Sequence, residues 1–144
     1  DALPQLEYDS LVAIIYKRQP VLSLRSKDKD IPELIVTKNT SFGLFYAKNE
    51  GDLDNDGADE ISVVIDWADW SQVNSCVVYS LKKNKWIVYA KFDVREWQVS
   101  QNSNFNGFIL KNKKGIYEVS TFDSEINEVV KPLKEVLVTA SNNL

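Results

Sequence analysis

Apolar and polar positions alternate along much of this chain in short runs separated by turn residues. Ile61, Val63 and Ile65 fall on one side of an extended segment while Ser62, Val64 and Asp66 fall on the other, which predicts a mostly buried strand. Residues 75–81 and 86–94 predict a hairpin across Lys82-Lys83-Asn84-Lys85, a four-residue connection whose charges keep its tip in water. Alternation along the second strand puts Trp86, Val88, Ala90, Phe92 and Val94 on one core face.

Further strands are predicted over 31–36, 44–47, 108–111, 116–122 and 135–139, with 97–100 continuing the sheet past a bend at Arg95-Glu96. The segment from Tyr8 to Leu24 has enough apolar spacing for a helix. Its β-branched Val12, Ile14 and Ile15 and the breaker Pro20 favour two strands, over 11–17 and 21–25. About eight to ten short strands with no long helix predict an all-β domain, built as a barrel, a sandwich or propeller-blade-like antiparallel sheets. The 144 residues suffice for a single domain but not for a four-bladed propeller. No apolar run reaches the roughly 18 residues of a membrane-spanning helix.

Composition is that of an ordinary globular chain, at 44% hydrophobic and 26% charged residues. The net charge of −4 matters less than where it sits. No Lys or Arg occurs from Asn49 through Leu81, a span with eight acids, which leaves 13 acids against 17 bases elsewhere. Six of the eight (Glu50, Asp52, Asp54, Asp56, Asp59 and Glu60) crowd into one stretch. Two carboxylates about 5 Å apart at an effective dielectric of about 20 repel by roughly 3 kcal/mol, so several converge only around a cation.

The stretch reads Gly51-Asp52-Leu53-Asp54-Asn55-Asp56-Gly57-Ala58-Asp59-Glu60 and runs straight into the strand that begins at Ile61. Alternating Asp residues followed by Gly57, where the loop turns sharply, supply oxygen donors with no His or thiolate beside them. That donor set suits calcium, with magnesium second, and not zinc or copper. An EF-hand requires a bidentate Glu at position twelve and a helix after the loop; counting from Asp52, position twelve is Val63, within a strand.

The stretch resembles the calcium loop of FG-GAP and VCBS repeats, as found in integrin-type propeller blades, with the pattern D-x-[DN]-x-D-G-x-[DE]-[DE] leading into a strand. The resemblance covers about a tenth of the chain. It implies side-chain ligands at Asp52, Asp54, Asp56 and Glu60, the main-chain carbonyl of Ala58 as a further ligand, and Asp59 turned outward or bound through water. The chain also resembles small exported bacterial proteins with a single such loop, a likeness that assigns no activity.

Catalytic groups are scarce. With no histidine there is no Ser-His-Asp or Cys-His system, and no glycine-rich phosphate loop occurs. A carboxylate pair for hydrolysis, drawn from Asp93, Glu96, Asp123 and Glu125, is the weakest of the functional readings. Basic clusters at Lys82, Lys83 and Lys85 and at Lys111, Lys113 and Lys114 read as solubilising hairpin tips, so no nucleic-acid partner is expected. The lone Cys76 reads as a small core residue. Trp67 and Trp70 flank Asp69 after the strand that leaves the acidic loop, where they can stack on a sugar, anchor a partner or close the core. The expectation is a secreted, periplasmic or cell-surface β-domain. Its calcium is structural and its role is binding to an envelope protein or, as the alternative, to a glycan through Trp67 and Trp70.

Overall fold

A computed structural model describes residues 11–16, 19–37, 41–67, 73–100, 104–123 and 127–138. Ten strands run in chain order: β1 (Leu11–Tyr16), β2 (Gln19–Leu24), β3 (Leu34–Thr37), β4 (Ser41–Gly51), β5 (Glu60–Trp67), β6 (Val73–Lys82), β7 (Lys85–Arg95), β8 (Ile109–Lys111), β9 (Tyr117–Phe122) and β10 (Glu128–Pro132). A helical turn, α1 (Trp97–Ser100), and a 3-10 turn (Leu133–Val136) complete the described elements. The fold is all-β, and residues 11–16 and 19–24 form two strands rather than a helix.

The strands form three antiparallel meanders, with orders β1-β2-β3, β4-β5-β6-β7 and β10-β9-β8. The four-stranded sheet is the middle layer. On one face Ile61, Val63, Ile65, Val77 and Tyr79 pack with Leu24 and Leu34 of the first sheet. On the other, Val64, Cys76, Val78, Ala90, Phe92 and Val94 pack with Phe108, Ile109, Val119 and Leu133. With both faces covered, β5 and β6 are buried along most of their length, the polar Glu60, Ser62, Asn74, Ser75 and Ser80 included. Stacked open sheets correspond to the sandwich among the arrangements expected from sequence.

A bulge changes the reading of β7. Val78 pairs with Ala90 while Tyr79 pairs with Val88, which leaves Tyr89 as an extra residue. Trp86 and Val88 therefore pack against the Leu24–Leu34 side, and Ala90, Phe92 and Val94 against the opposite core. The five residues do not share one face, because period-two alternation resets at a bulge.

Three further expectations are corrected. Residues 97–100 turn helically instead of extending, because buried Gln98 accepts the Arg95 N–H on Oε1 at 2.8 Å and donates through Nε2 to Ser120 Oγ at 3.0 Å. Most of the strand expected over 135–139 is a 3-10 turn and a single bridge from Leu137 to Ala90. The β6–β7 connection is a two-residue turn, with Lys82 paired to Lys85 and positive φ at both Lys83 and Asn84.

Candidate metal centre

The acidic stretch is the hairpin connection between β4 and β5, whose facing ends are Gly51 and Glu60. Both flanks are strands, whereas an EF-hand loop is flanked by helices. One apolar residue fixes the loop to the body: Leu53, 6% exposed, is inserted into the same core as Val64 and Val78. Asn55 and Gly57 take φ of 61° and 90°, the left-handed values that turn the chain back on itself.

Asp52, Asp54, Asp56 and Glu60 each present a carboxylate oxygen within 4.8 Å of the others, which brings together the four side chains expected as ligands. Most of their oxygens are held by the loop's own backbone. Asp52 accepts the N–H of Asp56 on Oδ1 at 3.1 Å and of Gly57 on Oδ2 at 2.9 Å. Asp54 Oδ1 accepts Asp56 N–H at 3.3 Å, and Asp56 Oδ1 accepts Ala58 N–H at 2.9 Å. Glu60 accepts Leu53 N–H on Oε2 at 2.8 Å and Ser80 Oγ–H on Oε1 at 3.3 Å. Each carboxylate oxygen has more than one lone-pair direction, so these bonds orient the donors without exhausting them. Asp59 lies outside the cluster and accepts from Asn49 Nδ2 at 3.1 Å.

Lys82 was not anticipated as part of the site. Its ammonium is ion-paired with Asp54 Oδ2 at 2.5 Å and with Asp56 Oδ2. It is the first base after the base-free span, and the hairpin register brings it back over a loop 26 and 28 residues earlier in the chain. The only sequence signal for this contact was the strand pairing itself, since charge along the chain showed Lys82 as one of three exposed tip lysines.

The electrostatics separate the four acids. The Lys82 ammonium, with help from the Ala58 N–H, holds the Asp56 carboxyl down at about 2. Glu60 is 1% exposed, and burial drives its carboxyl up to about 7, opposed by the Leu53 N–H and reinforced by Asp54 and Asp56. Lys82 is itself pushed above its ordinary value by Asp54 and Asp56. A buried carboxyl that ionises reluctantly beside three other acids is the environment that an added cation would relieve.

The remaining candidates are placed differently. Trp67 is half-buried at the end of β5, packs on the apolar cluster around Ile65, and donates its indole N–H to Ser75 Oγ at 2.8 Å. Trp70 and Glu125 lie outside the described residues. Asp93, Glu96 and Asp123 are exposed. Cys76 is fully buried in the core, remote in kind from a metal-binding thiolate, and burial pushes its thiol up. Among the described residues, no helix is long and apolar enough to cross a membrane.

No protein-family model matches this chain, and neither the curated proteins nor the solved structures include a significant match.

Proposed function

We propose that the chain is a calcium-binding β-domain in which one ion organises the Gly51–Glu60 loop and the folded domain serves as a binding module outside the cytoplasm. The observation that carries this reading is the convergence of Asp52, Asp54, Asp56 and Glu60 within 4.8 Å on a loop that joins two strands. An all-oxygen donor set favours calcium over zinc or copper, and magnesium comes second because it prefers a rigid octahedron that keeps several waters. The FG-GAP-like pattern adds the Ala58 carbonyl as a further ligand. Placement outside the cytoplasm follows from the same resemblance, since such sites fill at extracellular calcium concentrations.

The ion's role in this reading is structural. It replaces repulsion among the acids with coordination and ties the β4–β5 turn to the core that Leu53 enters. Trp67 is engaged with Ser75 and the core, so the binding-module reading is preferred to a glycan platform at this tryptophan.

The test is a thermal melt of metal-stripped protein titrated with calcium and, separately, with magnesium. At a hundredfold excess over Kd, binding adds about 2.7 kcal/mol, equivalent to a rise of roughly 5–10 °C for a domain of this size. A calcium-specific rise supports the reading. An unchanged melt with both ions, together with no heat of calcium binding by calorimetry, overturns it.

A further inference from the structure

The Lys82 ammonium is paired with two of the four clustered acids, Asp54 and Asp56. This lysine is the last residue of β6, and its pairing with Lys85 closes the tight Lys83-Asn84 turn. β6 lies beside β5, with Ile61 opposite Tyr79 and the Ser80 hydroxyl on Glu60. Two residues further on, Lys82 therefore projects past the end of β5 and over the loop. Its side chain is 34% exposed, whereas Lys83 and Lys85 at the same tip point to solvent.

The pairing is selective at the level of single oxygens. In Asp54 and Asp56 alike, Oδ1 is bonded to a loop N–H, and Oδ2 is the oxygen that Lys82 takes. A divalent cation that recruits those two acids, through either oxygen, comes beside the ammonium held at Oδ2. Like charges in such close quarters repel, so the ammonium and the ion compete.

We infer that Lys82 is a tethered counter-ion of the loop: its ammonium holds Asp54 and Asp56 together when no metal is bound and is exchanged for the divalent cation, thereby setting the affinity of the site. This inference rests on the calcium reading above and adds its regulation. The binding free energy measured for calcium is the ion's interaction with the four carboxylates less the cost of releasing Lys82. By reciprocity, whatever holds the ammonium more firmly lowers calcium affinity by the same factor. The lysine keeps the loop folded and partly neutralised at low calcium, and it makes occupancy an exchange between two ordered states.

The experiment compares wild type, Lys82→Gln and Lys82→Arg in calorimetric titrations with calcium chloride and in metal-free melts. Lys82→Gln is expected to bind calcium about tenfold more tightly and to melt several degrees lower without metal, while Lys82→Arg stays close to wild type in both. In wild type, the Lys82 side-chain methylene resonances should shift on calcium addition towards those of Lys83 and Lys85. Equal or weaker affinity in Lys82→Gln, with wild type binding normally, overturns the exchange but leaves the calcium site standing. The absence of calcium binding in all three proteins overturns both. If the Lys82→Gln loop fails to order, unmoved Lys82 resonances in calcium-loaded wild type overturn the exchange without reference to the variant.

Discussion

The Leu53 N–H donates to Glu60 Oε2 over 2.8 Å, joining the residue that anchors the acidic loop in the core to its most buried acid. Seven positions of chain separate them, so this one bond spans most of the loop and couples the packing of an apolar side chain to the placement of a carboxylate.

Leu53→Ala is accordingly expected to act on both. Truncating a side chain that is 6% exposed costs about 2–4 kcal/mol through lost burial and the cavity left behind. Chemical denaturation should show that loss in metal-free protein, and calcium titration should show weakened binding because the loop is no longer pinned. A loss below about 0.5 kcal/mol would mean that Leu53 does not anchor the loop.

Glu60 predicts an unusual pH profile. Its carboxyl ionises near 4.5 in an unfolded chain and at about 7 in the fold, so between these values the folded state retains a proton that the unfolded state has released. The contribution of Glu60 to stability is therefore fully present below 4.5 and is lost as pH rises through 7, by on the order of 3 kcal/mol. Metal-free protein should melt higher at pH 5 than at pH 8 in this respect, and Glu60→Gln should flatten the difference. Calcium affinity should run the other way, rising from pH 5 to pH 8 with release of protons, as calorimetry in buffers of different ionisation heat would detect. Asp56 acts only in strong acid: held at about 2, its contribution is present above the ordinary carboxylate range and is lost as pH falls towards that value.

Asp54→Ala removes a ligand, a partner of Lys82 and an acceptor for the Asp56 N–H. A hundredfold loss of calcium affinity would reduce the stabilisation from about 2.7 to about 0.4 kcal/mol at a concentration a hundred times the wild-type Kd. The thermal response to calcium should nearly vanish, and the metal-free melt should fall modestly because half of the Lys82 pairing is lost. A wild-type calcium response in this variant would exclude Asp54 from the site.

Gly107 lies outside the loop and offers a separate check on the fold. Its φ is 109°, and a Cβ there would come within 2.8 Å of Lys48 Nζ and 3.2 Å of the Tyr46 hydroxyl. Lys48 Nζ also donates to the Asn106 carbonyl at 3.1 Å, fastening the 104–108 segment to β4. Gly107→Ala should cost about 1–2 kcal/mol from backbone strain alone, measurable by urea denaturation, with calcium affinity unchanged. Wild-type stability would show that the segment can rearrange around the methyl group.

The parts of this structure legible in the sequence were those set by local pattern. β5 declared itself through Ile61, Val63 and Ile65, and the acidic loop through the spacing of Asp52, Asp54 and Asp56 ahead of Gly57. What escaped depends on contacts distant in sequence. The bulge at Tyr89 leaves no mark on the apolar alternation of β7, and α1 extends or coils according to what Gln98 finds on β9. β10 has only Val129 and Val130 as apolar residues before Lys131-Pro132; it lies at a sheet edge with Val130 57% exposed, so burial left little imprint on its sequence. Lys82 resembled its neighbours at the hairpin tip until the β5–β6 register carried it to Asp54 and Asp56.

Every ladder in the three sheets joins strands that are consecutive in the chain. Each can zip from its own turn, so no pairing waits for the closure of a long loop, and loop-closure entropy is spent in small instalments. The β4–β5 ladder is the one whose turn brings four carboxylates together as it closes. Its formation is therefore the step in folding that is opposed by charge, and the one whose rate should depend on the cations present when the chain first collapses.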